Sequence, residues 1–373
     1  MYAVGNEPDW DSVRSDFYHN EHEWEDFWRV YATNLTLNGI SPQQIVGGVW
    51  ASCAWCANAS AYLTRNAALL GEFNVHWYPI WHGAATGNVS DLLAPAAVTF
   101  PAPWQAAAAA AAAAGVRFTV REGNNINGGG ISGVSDRFAA ALWALDAAFA
   151  LAELGVTAWH VNTGTTCAFN ASGYCPFCGV PSDPPSPTNA LAMAVRGEFY
   201  GMVAAARAAL GDGGGGAKLL NVSLAPSGND PRVTLHALRR ASSAWDGSTS
   251  SSSSSSSSGD VVVVVVVNKN LVSSPGQKDP PPSNATRVTL CLPRSSTAYV
   301  ETMSAPGGAG SATGIVLAGQ TWEDGAHSGA PSGARVRTPL VPVALTGCSS
   351  QGSQAYALDL AAESAAVVYS SIV

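Results

Sequence analysis

Two glutamates, Glu7 and Glu122, stand at positions that suit acid–base and nucleophilic chemistry. Glu7 lies in Gly-Asn-Glu-Pro after a short apolar segment, and Glu122 follows the apolar segment Val116–Val120 and precedes a glycine-rich loop. Two carboxyl groups about 5–5.5 Å apart hydrolyse a glycosidic bond with retention, one exchanging the proton and the other attacking the sugar. The alternative interpretation of each glutamate is a solvated carboxylate in a strand-to-helix turn.

Closely spaced cysteines offer a second kind of chemistry. Cys53 and Cys56 are separated by two residues, as are Cys175 and Cys178, and Cys167 lies nearby. This spacing is typical of zinc ligands, but it also allows disulfides, which form in secreted proteins. We favour disulfides, with zinc binding as the alternative.

The elements that must hold these residues alternate along the first half of the chain. The strand candidates are Tyr2–Val4, Ile45–Trp50, Phe73–Tyr78, Val116–Val120 and Val156–Val161. Helical periodicity is found before Gly39 and in Pro101–Ala114, Ser135–Leu154 (with Ser135 as N-cap) and Ala190–Leu210. Alternating strands and helices indicate parallel βα units. We therefore predict an α/β domain over residues 1–212, the second half of a (β/α)8 TIM barrel, with its site at the carboxyl ends of the strands.

The pattern changes after the glycine run at 213–216. Short alternating segments follow near Lys218–Leu224, Val261–Val267, Arg287–Leu292, Gly314–Ala318, Val341–Leu345 and Ala365–Tyr369. Such spacing is typical of a β-sandwich, which we predict for residues 213–373. The tract Ser248–Ser258 cannot bury a core, so we expect a disordered insertion there. Cys291 and Cys348 are candidates for a disulfide across this sandwich.

Composition excludes several classes of function. A formal net charge of −8 with 18 Lys+Arg argues against nucleic acid as a partner. The apolar run Ala106–Ala114 is shorter than the roughly 20 residues that cross a bilayer, so we predict no transmembrane helix. Six Asn-x-Ser/Thr sequons favour a secreted glycoprotein; they begin at Asn34, Asn58, Asn88, Asn170, Asn221 and Asn284. The sequence shows no signal peptide, which we expect upstream because the chain begins in mid-domain.

The segment around Glu122 carries a specific resemblance. Arg121–Asp146 contains Glu, an Asn-containing glycine-rich loop, Gly-Val-Ser-Asp-Arg-Phe and Ala-Leu-Trp-Ala-Leu-Asp, and it resembles the nucleophile segment of glycoside hydrolase family 79, the β-glucuronidase and heparanase-like enzymes. Tyr2–Asp9 is similar to the acid/base segment of that family. The two glutamates lie 115 positions apart, which suits barrel strands four and seven. Val264–Lys269 is similar to a strand of the family's C-terminal β-domain.

The resemblance implies a role for each matching residue. Glu7 corresponds to the proton donor and Glu122 to the nucleophile of a retaining β-glucuronidase-like enzyme. The implied substrate-binding residues are Asn6, which contacts the sugar 2-OH, together with His76, Tyr78, Gly128 and Gly129. For His76, a satisfied core histidine is the alternative interpretation.

Other positions near these motifs are weaker candidates or departures. The two glycines match the family's recognition of the uronate carboxylate, but Asn127 stands where relatives have a tyrosine, so the sugar specificity stays open. His160 and Asn162, at the end of the last strand candidate, are secondary candidates.

The resemblance implies a glycan or glycoconjugate bearing glucuronide as substrate, no cofactor and no catalytic metal. About three βα units have no counterpart here, and we expect a truncated chain that is unstable alone. Two alternative functions stay open: a non-catalytic, carbohydrate-binding relative, and a thiol or zinc protein that uses the Cys-x-x-Cys pairs.

Overall fold

A computed structural model describes most of the chain. The described residues are 1–10, 20–51, 53–163, 173–181, 191–211, 216–222, 230–241, 260–271, 285–293, 298–323, 330–344, 348 and 352–372. They form two compact units: Met1–Ala84, Val98–Gly128 and Ala150–Thr163 make the first, and Ala85–Ala97, Gly129–Phe149 and Gly164–Val373 make the second. The domain boundary near residue 212 stays a prediction, and the serine tract lies outside the described residues.

Six α-helices occur in the described ranges. They are α1 (Glu21–Leu37), α2 (Ala59–Asn66), α3 (Ser90–Leu93), α4 (Ala102–Ala113), α5 (Phe138–Leu154) and α6 (Gly197–Leu210). Asn20 caps α1, because its side-chain oxygen accepts hydrogen bonds from the backbone N–H of His22 and Glu23.

A five-stranded parallel sheet forms the centre of the first unit. Its strands are adjacent in chain order: β1 (Tyr2–Ala3), β2 (Ile45–Trp50), β3 (Glu72–Trp77), β4 (Arg117–Gly123) and β5 (Val156–Val161). The predicted α/β class with parallel βα units is confirmed, and β2 and β5 have their predicted bounds. Closure of these strands into a barrel stays a prediction.

The two faces of this sheet differ in chemistry. On β3, the apolar residues Phe73, Val75 and Trp77 alternate with polar ones, and all are buried. Phe73 packs edge-on against Trp50 at 5.0 Å and stacks on Phe118 at 5.9 Å between ring centroids. Because side chains alternate across a strand, the polar residues of β3 share the opposite face.

The second unit contains three antiparallel sheets. Its strands are β6 (Phe177–Pro181), β7 (Leu191–Val195), β8 (Lys218–Leu220), β9 (Val233–Ala241), β10 (Asp260–Asn268), β11 (Thr286–Pro293), β12 (Ala298–Ser304), β13 (Val316–Leu317), β14 (Thr338–Pro339), β15 (Pro342–Val343), β16 (Ser353–Leu360) and β17 (Ser364–Ser371). One sheet has the order β13-β12-β17-β10-β9-β8, with β14 beside β12; another has the order β11-β16-β15; and β6 pairs with β7.

The two larger sheets share one hydrophobic core, as the predicted sandwich requires. Val262, Val264 and Val266 of β10 belong to the same buried cluster as Leu290 and Leu292 of β11. The intervening valines of β10 are also fully buried, so both faces of this strand are covered. Burial of both faces accounts for an uninterrupted valine run where a one-sided strand would alternate.

Two sequence-based predictions in this unit were wrong in part. Ala190–Leu210 was expected to be one helix, but residues 191–195 form β7 and the helix begins at Gly197. Pairing with β6 decides this, because an Ala- and Met-containing segment has no strong strand preference of its own. Ser135 does not cap α5. Its Oγ accepts a hydrogen bond from the backbone N–H of Ile131, which precedes it in the chain, and the helix begins at Phe138.

A buried ionic cluster joins two segments of the second unit. Asp146 of α5 accepts a hydrogen bond from Lys269 Nζ at 2.6 Å, and its other oxygen lies 2.8 Å from His236 Nε2. All three side chains are at least nine-tenths buried. Burial opposes the Asp146 charge, but His236 and Lys269 outweigh it and hold the pKa of this carboxyl below its usual range.

Disulfides are present where the sequence favoured them. Cys53 pairs with Cys56 and Cys291 with Cys348, and Cys175 is also disulfide-bonded. Zinc binding by the first pair is thereby contradicted, because a metal needs free thiolates.

Surface features expected of the chain were also located. The sequon residues Asn34, Asn58, Asn88 and Asn221 are exposed, whereas Asn170, Asn284 and Cys167 lie outside the described residues. In the part of the chain that the structure describes, every helix is too short or too polar to span a bilayer.

Candidate active site

Glu7 lies in a constrained turn beyond the carboxyl end of β1. Its backbone has a φ of +50°, and its N–H donates to the carbonyl of Val49 at 2.9 Å. Val49 itself has a φ of +59° at an irregularity of β2, where the register with β3 shifts between Gly48 and Trp50. Positive φ in non-glycine residues costs about 1–3 kcal/mol each and is often retained at functional sites. The position of Glu7 is therefore held by the fold.

Glu122 faces the same side of the sheet because β4 contains a bulge. Val120 pairs with Val75, but His76 pairs with Glu122, so Arg121 is an extra residue between two regular pairs. Without this bulge Arg121 would oppose His76, and Glu122 would point to the other face. The strand also continues to Gly123, beyond its predicted end.

Gly123 fixes the backbone directly after Glu122. A Cβ at this position would lie 2.6 Å from the carbonyl oxygen of Trp77, which is too close for any side chain. Asn124 N–H donates to that same carbonyl at 3.1 Å, and the Gly123 carbonyl accepts from Asn162 N–H at 2.9 Å. The close approach explains why a glycine follows the glutamate.

His76 brings the two glutamates together. Its Nδ1 lies 2.8 Å from Glu7 Oε1 and 3.8 Å from Glu122 Oε2. One oxygen of each carboxylate and a ring nitrogen of His76 all lie within 4.8 Å of one another. The side chain of His76 is 2% exposed, Glu7 14% and Glu122 34%, so the cluster opens to solvent on the Glu122 side.

Tyr78 and Asn162 complete the surroundings of Glu122. Tyr78 Oη donates to Glu122 Oε1 at 2.8 Å, and Asn162 Nδ2 lies 2.6 Å from Tyr78 Oη and 3.2 Å from the same Oε1. Both donors reach one oxygen, which orients the carboxylate and leaves Oε2 directed toward His76. The resemblance implied Tyr78 as a substrate-binding residue, and the sequence offered Asn162 only as a secondary candidate.

The remaining predicted residues differ in exposure and in backbone conformation. Asn6 is exposed in the turn beside Glu7, and His160 is exposed on β5. Gly128 is exposed with a φ of +71°, and a Cβ there would meet His82 at 3.8 Å. Gly129, with a φ of +102°, belongs to the second unit.

Sequence reasoning missed a buried polar network beside the site. Glu72 is 1% exposed; it forms an ion pair with Arg121 and accepts from Thr119 Oγ1 at 2.8 Å, and Thr119 in turn contacts Asn74. Burial opposes the charge of Glu72, but the bonds from Arg121 and Thr119 and the charge of Arg117 lower its pKa. The sequence feature that could have revealed this network is the strict alternation Glu-Phe-Asn-Val-His-Trp on β3, which indicates a sheet with one polar face.

The cluster of Glu7, His76 and Glu122 is also the group in the described ranges whose atoms could hold a metal ion. Two carboxylates and an imidazole are known metal ligands, but they equally suit proton transfer and nucleophilic attack. The absence of a catalytic metal stays a prediction.

Comparison with solved structures identifies proteins with a similar fold. The chain is similar to a 4-O-α-L-rhamnosyl-β-D-glucuronidase from Fusarium oxysporum 12S, with a TM-score of 0.69 and 18% identity over 98% of this chain and 69% of that one. The fold is that of glycoside hydrolases. A family 51 arabinofuranosidase from Xanthomonas axonopodis pv. citri also matches, with a TM-score of 0.52 and 12% identity over 99% of this chain and 65% of its own.

The other comparisons show that the similarity is one of fold. A family 44 endoglucanase from Clostridium acetobutylium matches with a TM-score of 0.52 and 12% identity, over 99% of this chain and 66% of its own length. No protein-family model matches the sequence, and no curated protein matches it. The shared property is therefore the fold.

Proposed function

We propose that this chain is the catalytic part of a retaining, β-glucuronidase-like glycoside hydrolase. The observation that carries the proposal is the approach of the Glu7 and Glu122 carboxylate oxygens to within 4.8 Å of each other. Retaining enzymes hold their two carboxyl groups about 5–5.5 Å apart, whereas inverting enzymes need about 6.5–9.5 Å to admit a water molecule. The glycosidase fold supports the same conclusion.

In the first step, Glu7 protonates the glycosidic oxygen while a Glu122 oxygen attacks the anomeric carbon. The carbon–oxygen bond to the leaving group breaks, and a glycosyl ester of Glu122 forms. In the second step, the Glu7 carboxylate takes a proton from water as that water attacks the anomeric carbon. The ester bond breaks, the Glu122 carboxylate is restored, and Glu7 is again protonated.

His76, Tyr78 and Asn162 position these carboxylates. Tyr78 Oη and Asn162 Nδ2 both contact Oε1 of Glu122, so Oε2 is the oxygen available for attack. His76 is buried and lies at hydrogen-bond distance from Glu7, so it orients the group that exchanges the proton. Fixed orientation matters because proton transfer and attack require their partners in place before reaction.

The uronate specificity is the finer part of the proposal. It is supported by the resemblance of the Glu122 segment to family 79 and by the glucuronidase among the similar structures. From that resemblance we assign the sugar carboxylate to Gly128 and Gly129 and the 2-OH to Asn6, with a glucuronide-bearing glycan as the substrate.

A screen of aryl glycosides tests the proposal. Hydrolysis of the aryl glucuronide is expected to exceed that of the galactoside and the glucoside, and Glu122→Gln is expected to abolish turnover. A 2-fluoro glycosyl inactivator should label Glu122, and azide should restore turnover to Glu7→Ala with an activated leaving group. Glu23→Gln, a change of an exposed glutamate on α1, serves as the matched control.

Two outcomes would overturn the assignment. Unchanged activity in Glu122→Gln would show that Glu122 is not the nucleophile. A product of inverted anomeric configuration would contradict the two-step route. Sugar binding with no hydrolysis of any glycoside would favour the non-catalytic relative instead.

Secretion is a further part of the proposal. The disulfides Cys53–Cys56 and Cys291–Cys348 are compatible with an oxidising compartment, and the exposed sequons are compatible with N-glycosylation. Mass spectrometry of the protein secreted from a eukaryotic host, before and after glycosidase treatment, tests both points.

A further inference from the structure

Two tryptophans are exposed to solvent, although most tryptophans of the described chain are buried. Trp24, Trp28 and Trp50 are at most 1% exposed, as expected for large apolar side chains. Trp81 is 60% exposed and Trp10 40%, and among the described tryptophans these two are the most exposed. Neither ring contacts another aromatic ring or a cation in the part of the chain that the structure describes.

Their positions relate both tryptophans to the proposed active site. Trp10 lies three residues after Glu7, and its N–H donates to the Glu7 carbonyl at 3.2 Å. Trp81 lies three residues after Tyr78, whose hydroxyl contacts Glu122. Both loops leave the carboxyl ends of parallel strands, the edge at which such sheets bind ligands. Exposed apolar residues that are scattered singly are normal, so the place of these two beside the proposed site, rather than their exposure alone, indicates a role.

The backbone on both sides of Trp81 is fixed although its ring is exposed. Ile80 N–H donates to Asn125 at 3.3 Å, and Asn127 N–H donates to Ile80 at 3.1 Å. His82 N–H then donates to Asn127 Oδ1 at 2.6 Å. These bonds join the Trp81 loop to the loop that follows Glu122. The indole is therefore presented to solvent from a rigid support, which lowers the entropy lost when a ligand binds.

We propose that Trp81 and Trp10 are stacking platforms for sugar units adjacent to the one that is cleaved. A pyranose ring presents a face of C–H groups that packs on an indole, while its hydroxyls stay in water. The inference rests on the proposed function and extends it: the substrate is an oligosaccharide or polysaccharide chain whose neighbouring units are held on both active-site loops.

Binding in a hydrolysis-deficient background tests the inference. Calorimetry measures the affinity of the Glu122→Gln chain for oligosaccharides that bear a β-glucuronide unit. Trp81→Ala and Trp10→Ala, each added to this background, are expected to weaken binding about tenfold, which corresponds to about 1.4 kcal/mol. Trp81→Phe should recover most of the affinity, because it keeps an aromatic face. Tyr31→Ala, a change of an exposed aromatic residue on α1, is the matched control and should bind as the parent does.

Kinetics then separates this inference from the proposed function. With the nucleophile restored, the ratio of kcat/KM on the glycan to kcat/KM on an aryl monoglycoside should fall about tenfold in Trp81→Ala. Unchanged glycan affinity in both alanine variants, or an equal loss on the glycan and the monoglycoside, would overturn the inference. A wild-type chain that hydrolyses no glycoside but binds the glycan in a Trp81-dependent way would instead refute the hydrolase function alone.

Discussion

Replacing Tyr78 by Phe tests how the fold orients the proposed nucleophile. The change removes one hydroxyl, which donates to Glu122 Oε1 at 2.8 Å and lies 2.6 Å from Asn162 Nδ2. The phenyl ring and its packing stay in place. The variant therefore isolates a single polar contact at the carboxylate that attacks the sugar.

The structure sets the size of the expected effect. A hydrogen bond to a charged group contributes about 1.5–3 kcal/mol. Asn162 Nδ2 already lies 3.2 Å from the same Glu122 oxygen, so it can retain part of the orientation after Tyr78→Phe. We therefore expect the lower limit, about 1.5 kcal/mol, or roughly a tenfold loss of kcat/KM. The double variant with Asn162→Ala removes both donors and should lose about a hundredfold, more than the product of the two single losses.

Two measurements check this prediction. Steady-state kinetics on an aryl glycoside gives kcat/KM, and the rate of inactivation by a 2-fluoro glycosyl inactivator isolates attack by Glu122. Thermal melting should be nearly unchanged, and Tyr31→Phe on α1 should leave both rates at wild-type values. A Tyr78→Phe chain within twofold of wild type, or a double variant whose loss equals the product of the single losses, would refute the reasoning.

Three further predictions concern the stability of the fold and the backbone beside Glu122. Lys269→Met leaves the buried Asp146 carboxylate without its cation and should lower the free energy of unfolding by about 3–5 kcal/mol in urea; a change below 1 kcal/mol would contradict the buried pair. The pKa values of Asp146 and Glu72 are lowered in the folded chain, so their stabilisation is present above the ordinary carboxyl pKa of about 4 and is lost as pH falls through the folded values. Urea titrations from pH 7 to pH 3 should show the unfolding free energy decreasing below about pH 4, and a constant value would exclude this linkage. Gly123→Ala should reduce kcat/KM at least tenfold by pushing its Cβ against the Trp77 carbonyl, and wild-type kinetics would show that the backbone relaxes.

The sequence allowed much of the first unit to be predicted because its signals are local. Ile45–Trp50 and Val156–Val161 are apolar segments between turn residues, and the strands have those bounds. Residues 191–195 were misassigned because their partner strand, not their own composition, decides their conformation. Strands β9, β12 and β16 were not predicted. Pairing with neighbouring strands decides their conformation: β9 pairs with β10, β12 with β17 and β16 with β11.

Within the site, residue types could be read from the chain, but their geometry could not. Glu7, Glu122, His76 and Tyr78 were all candidates before the structure. Their separations depend on the bulge at Arg121, because one extra residue selects the face to which Glu122 points. No local pattern marks a bulge of this kind.

The sequence alone determined which side chains this protein has for chemistry and the strand–helix order that places them at one edge of a sheet. Both are properties of residue type and short-range periodicity. Only the tertiary structure decided that the carboxylate oxygens of Glu7 and Glu122 lie within 4.8 Å of each other, with buried His76 beside both. That distance follows from strand register and backbone strain, which depend on contacts between segments far apart along the chain.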